Sequence, residues 1–199
     1  DLLATGGTAN AAIELLKKLI STPSFSGEED KTGDAIEEFL KSFGVDTKRQ
    51  YNNIYAFNKY FDESKPTLLL NSHHDTVKPN SAYTKDPFDA HIEDGKLYGL
   101  GSNDAGGCLV SLLATFVHFY DKEGLSHNII MAATGEEEDA GEKSIRALLP
   151  ILPQIDVAIV GEPTLMDLAI AEKGLVVFDA VVEGTPSHAA HPNDDNCIY

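Results

Sequence analysis

The chain has 199 residues, 42% hydrophobic and 24% charged, which is enough apolar material for one sizeable folded core. Its 32 acidic residues against 15 basic ones give a formal charge of −17. That balance excludes nucleic acid, whose phosphates need a basic surface, and argues equally against docking on an anionic membrane. Two cysteines, Cys108 and Cys197, have no CxxC neighbour and make no disulfide framework, so a reducing, cytoplasmic setting is expected.

The first stretch lacks a basic leader before its apolar residues, and no run approaches the roughly 18 apolar residues of a membrane span. Ile13, Leu16 and Ile20 recur at helical spacing and predict a helix over about 9–20. A second helix is predicted over about 28–43, with Ile36, Phe39, Leu40 and Phe43 on one face and Gly44 placed as its C-terminal cap. Short apolar strands follow at Ile54–Phe57 and Thr67–Leu70, then a Pro- and Ser-containing loop at Asn80–Phe88. Helical spacing returns at about 105–120 and 142–149, with strands at Ile129–Ala133 and Val157–Val160. Strands alternating with helices predict an α/β layered sheet. Near Ala171 the character changes, and the β-prone run Leu175–Val182 leads into Gly184-Thr-Pro. Residues 1–171 are therefore expected to form one domain and 172–199 the beginning of another, too short to bury its own core. The chain starts with Asp rather than Met, so a trimmed product is expected.

Five motifs carry chemistry. The strand from Thr67 runs into His73-His74-Asp75, and in extended chain His73 and Asp75 point to one side while His74 points away. Imidazole is a good zinc ligand and a neighbouring carboxylate can orient it, although a strand end capped by an aspartate has the same pattern. Tyr98-Gly-Leu-Gly-Ser-Asn-Asp104 opens an apolar helix. A dinucleotide loop is disfavoured there, because Asp104 stands where the third fingerprint glycine belongs and would repel a pyrophosphate; a plain N-cap remains the simpler role for an isolated Asp. The strand Ile129–Ala133 runs, through Thr134 and Gly135, into Glu136-Glu137-Glu138-Asp139. If that run is extended, one glutamate can ligate a metal while its neighbour reaches a water, the division that metal-assisted hydrolysis needs; a solvated charge run suits Asp139. Val157–Val160 ends in Gly161-Glu162, again an acid at the carboxyl end of a strand, where α/β sheets gather their ligands. Gly184-Thr-Pro-Ser-His188-Ala-Ala-His191-Pro192 offers His188 as a donor to an oxyanion, or as an exposed loop histidine.

Taken in order, SHHDTV, YGLGSNDAGG, TGEEED, GEPT and GTPSHAAHP resemble the acetylornithine deacetylase, succinyl-diaminopimelate desuccinylase and carboxypeptidase G family of dizinc hydrolases, over His73 to Pro192. The resemblance implies a catalytic α/β domain with helices on both faces of its sheet, followed by an α+β lid. It implies that His73, Asp104, Glu138 and Glu162 are metal ligands, with Asp104 bridging two zinc ions, cobalt or manganese being alternatives. It makes Glu137 the base, Asp75 the residue that orients His73, and His188 the oxyanion donor. A further ligand is expected beyond Tyr199, so the 199-residue chain by itself should bind one zinc better than two and have little activity. The texture of NSHHDTVKPN, VGEPT and AEKG is closest to deacetylases of acetylornithine or acetylcitrulline in arginine biosynthesis; a dipeptidase, a desuccinylase and a non-catalytic relict scaffold are the alternatives. A small N-acyl amino acid is the implied substrate, and a homodimer through the lid the implied assembly.

Overall fold

The computed structural model describes residues 2–171 together with 173, 174, 176, 178, 180, 181 and 184. The chain divides into two compact units, residues 1–165 and 166–199, and the fold described here is that of the first. The run expected over 175–182 falls partly, and His188 and Cys197 wholly, outside the described residues.

Helix α1 spans Leu2–Ile20 and α2 spans Asp30–Ser42. The buried stripe of α1 is Ala12, Leu15, Leu16, Leu19 and Ile20, the spacing of one helical face, whereas Ile13 is 43% exposed and is not part of it. Helix α2 closes as expected at Gly44, whose φ of +74° favours glycine. The amides of Gly44 and Val45 donate back to Lys41 O and Leu40 O, satisfying carbonyls that the helix leaves free.

A five-stranded mixed sheet is built from β1 (Lys48–Gln50), β2 (Asn53–Phe57), β3 (Thr67–His73), β6 (Asn128–Thr134) and β7 (Val157–Val160), in the order β1-β2-β6-β3-β7. Strands β6, β3 and β7 are parallel, and β2 runs antiparallel to β6. A separate hairpin joins β4 (His91–Glu93) to β5 (Lys96–Tyr98). The three-residue strands β1, β4 and β5 were not expected; each is too short to carry a readable alternation. Helix α3 (Cys108–Phe119) starts later than the predicted 105, and α4 is reduced to Ile145–Leu148.

The alternation of β2 and β6 explains the layering. Ile54, Ala56, Met131 and Ala133 face the core formed with α1, α2 and α3. Tyr55, Ile130 and Ala132 face the opposite side, covered by Leu148 and Leu152. Helices thus lie on both faces, as predicted, and the parallel strands end at one common edge.

Candidate metal centre and active site

The register of the parallel strands aligns their carboxyl ends: His73 of β3 lies beside Thr134 of β6, and Asn71 beside Val160 of β7. Each strand then empties into chemistry, His73–Asp75 from β3, Glu136–Glu138 from β6 and Glu162 from β7. This is the edge at which α/β sheets collect ligands. Asp104 arrives from a wide turn, Ser102–Gly107, that precedes α3; the Asp104–Ala105 peptide is cis. Asp104 has φ −112° and ψ 102°, so it neither caps α3 nor belongs to it.

His73 is the centre of the cluster, only 1% exposed. Its Nδ1 donates to the carbonyl of Asp75 at 2.9 Å, with the Asp75 carboxylate 3.4 Å away. That leaves Nε2 facing Asp104 Oδ1 at 3.1 Å, Glu162 Oε2 at 3.8 Å and Glu137 Oε2 at 3.9 Å. One potential ligand atom each from His73, Asp104 and Glu138 lies within 4.8 Å of the others.

The acidic run is not extended. Strand β6 ends at Thr134 and Glu136 has φ +53°, so the separation of Glu137 from Glu138 comes from a turn rather than from pleating. Buried side chains hold that turn by its backbone. Asp75, fully buried, accepts the amides of Glu137 and Glu138, each at 3.1 Å, and the Ser26 hydroxyl at 2.7 Å. Asp75 therefore fixes the glutamates as much as it orients His73. His74 points away from the cluster, as the strand geometry predicts. Burial lowers its pKa, and the neutral ring donates from Nε2 to Asn52 O while Nδ1 meets the Thr32 hydroxyl.

The electrostatics are those of a cation site. Burial pulls His73 down, but the Asp75 hydrogen bond and charge, helped by Glu162 and Asp104, raise it to about 10. Burial, together with Glu137, Asp104 and Glu138, pushes Glu162 up to about 7 against the pull of His73. Burial and then the Asp104 charge raise Glu138 as well. Asp75 differs: burial opposes its ionisation, yet His73, Ser26 and the two amides hold it at about 2. The crowding that raises Glu162 and Glu138 is relieved by a divalent cation, which would displace the His73 proton. One imidazole nitrogen with several carboxylate oxygens is a donor set suited to zinc, and one that other divalent metals accept. Cys108, nearby, is an unpaired thiol raised by burial and by Glu162 and Asp104, which makes it a poor nucleophile.

The structure thus brings together His73, Asp75, Asp104, Glu137, Glu138 and Glu162; His188 lies outside the described residues. Sequence reasoning did not find the supports of this cluster: Ser26, which donates to Asp75, and the Thr32–His74 pair. Ser24–Glu29 looks like an ordinary lead-in to α2, and the partners that give it meaning are far away in the chain.

Comparison with known proteins agrees with this geometry. The sequence profile of peptidase family M20/M25/M40 matches residues 69–196. The chain is 32% identical over 205 residues, 94% of its length, to a succinyl-diaminopimelate desuccinylase of Wolbachia pipientis subsp. Culex pipiens. It is 29% identical over 201 residues to the desuccinylase of Rickettsia bellii. It spans about half, 51%, of the length of each of these curated relatives. Among solved structures, an M20 family metallo-carboxypeptidase from Sulfolobus solfataricus superposes with a TM-score of 0.59 at 29% identity, over 77% of this chain and 37% of that one. The di-peptidase Dug1p of Saccharomyces cerevisiae shares the fold, with a TM-score of 0.61 at 19% identity over 79% of this chain and 39% of that one. The two curated relatives are desuccinylases rather than the acetylornithine deacetylases that the motif texture suggested. The profile match and the fold agree: the chain belongs to peptidase family M20/M25/M40.

Proposed function

We propose that the protein containing this chain is a metal-dependent hydrolase that cleaves the amide bond between an acyl group and an amino acid, with N-succinyl-diaminopimelate as its preferred substrate class. The observation that carries the reading is the cluster around His73 Nε2, in which Asp104, Glu137 and Glu162 all approach within 3.9 Å. The substrate follows the desuccinylase relatives. The arginine-pathway texture of the motifs keeps acetylornithine and acetylcitrulline as the second reading.

His73, Asp104, Glu138 and Glu162 would hold the metal, with zinc first and cobalt or manganese able to replace it. When bound, the metal supplies a Lewis acid that lowers the pKa of water and polarises the scissile carbonyl. The rest is the work of the chain. Glu137 is about half exposed, its carboxylate stands 3.9 Å from His73 Nε2, and the family resemblance assigns it the role of base. It can therefore take the proton of the attacking water and later return it to the leaving amine, a role worth roughly 10²–10⁴-fold in rate. Asp75 holds Glu137 and Glu138 by their amides, so base and ligand keep a fixed relation. His188 is proposed as the oxyanion donor, and a homodimer as the assembly.

The test is amino-acid release by the full-length protein, with and without chelator, from N-succinyl-diaminopimelate, acetylornithine, acetylcitrulline and a dipeptide. Chelator-sensitive release of diaminopimelate is expected to dominate. Release only from an acetylated substrate would transfer the specificity to the second reading, and release from none would remove the enzymatic one.

A further inference from the structure

The four successive amides that follow β6 are all held by side-chain oxygens. Gly135 N–H donates to Asn53 Oδ1 at 3.1 Å and Glu136 N–H to Glu29 Oε1 at 3.0 Å, while those of Glu137 and Glu138 go to Asp75. Asp75 belongs to the site already described; Glu29 does not. Glu29 comes from the turn before α2, is 0% exposed, and sits 107 residues before the glutamate whose amide it accepts. Its Oε1 also accepts the Gly27 amide at 2.7 Å, and its Oε2 accepts Asn52 Nδ2 at 2.9 Å. Asn52 is itself turned by Arg49, whose Nη2 donates to Asn52 Oδ1 at 3.0 Å. Gly135 lets the carboxylate come this close: a Cβ there would stand 3.1 Å from Glu29 Cδ and 3.2 Å from Oε1.

A buried acid is costly unless its oxygens are occupied, and here the Gly27 and Glu136 amides and Asn52 Nδ2 all donate to it. Its most distant partner in sequence, Glu136, has φ +53° and lies in the turn two residues beyond the end of β6. Holding that amide fixes the direction in which Glu137 and Glu138 leave the sheet. We infer that Glu29 is a positioning residue, which sets the placement of the base Glu137 and the ligand Glu138 without touching substrate or metal. This inference rests on the roles given to those two residues under the proposed function.

The test is Glu29→Gln in the full-length protein, read by zinc affinity and by separate kcat and KM. Gln preserves the shape. To keep its oxygen on the Gly27 and Glu136 amides, however, it must turn its NH2 against Asn52 Nδ2. The positioning role predicts zinc binding weakened about tenfold and kcat lowered about tenfold, with KM changed less than about twofold. Adding Asn52→Asp restores an acceptor opposite the new amide and should recover most of both losses. A purely structural role would lower the melting temperature but leave kcat and zinc affinity of the folded protein unchanged. That outcome in Glu29→Gln, or a double variant no better than the single, overturns the inference. Zinc affinity is read without substrate, so failure of the proposed reaction and failure of the positioning role remain distinguishable.

Discussion

The site has two regions of opposite character. The frame consists of His73, Asp75 and Glu29, which are 1%, 0% and 0% exposed, and every contact made by its two acids is a donor. The rim consists of Asp104 and Glu137, whose side chains are 58% and 53% exposed and face the imidazole across 3.1 and 3.9 Å. The two frame acids spend their hydrogen-bonding capacity on the fold, and His73 spends Nδ1 there while its Nε2 faces the rim. The rim keeps its capacity for a metal and a reacting molecule. The same residue type, a carboxylate, serves both purposes, and burial with satisfied partners separates the two.

Removing a frame acid should therefore damage folding, and removing a rim acid should damage chemistry. Asp75→Ala removes a fully buried carboxylate and strands two part-buried amides, the Ser26 hydroxyl and the His73 ring, and should cost about 3–5 kcal/mol of stability in urea unfolding. A loss below about 1 kcal/mol would erase the distinction between frame and rim. Metal removal acts on the rim. Chelation should abolish turnover and lower stability by about 2.7 kcal/mol relative to protein held at metal a hundredfold above Kd, both restored by added zinc. Gly135→Ala probes the seam between the regions, since the new methyl meets the Glu29 carboxylate at 3.1–3.2 Å. It should cost about 1 kcal/mol and reduce kcat more than KM. Lys41→Ala breaks an exposed i,i+4 pair with Glu37 on α2, remote from both regions. It should change stability by less than about 0.5 kcal/mol and leave turnover untouched.

The ligand cluster was far more legible than the residues that support it. Apolar runs ending in His73, Glu136–Glu138 and Glu162 announce strand ends with chemistry attached, because hydrophobic periodicity and its abrupt stop are local signals. The layered sheet followed from the same runs, and Gly44 was readable because its left-handed conformation favours glycine. Glu29 was not readable. An acid before a helix is ordinary at the surface, and its burial depends on Asn52 and Glu136, 23 and 107 residues away. The turn at Glu136 was also hidden, since a non-glycine residue at positive φ leaves no mark in a run of glutamates. Ile13 misled in the opposite direction: it has the right spacing from Leu16 and Ile20, but the buried stripe runs through Ala12 and Leu15 instead.

The most direct test of the account is Glu137→Ala in the full-length protein, with metal content and turnover measured on the same sample. The account predicts a folded protein that retains its metal and loses about 10²–10⁴-fold in kcat, because Glu137 moves the proton and its neighbours hold the metal. Retained turnover would place the base elsewhere, and loss of the metal together with turnover would make Glu137 a ligand and contradict the division of labour proposed for this site.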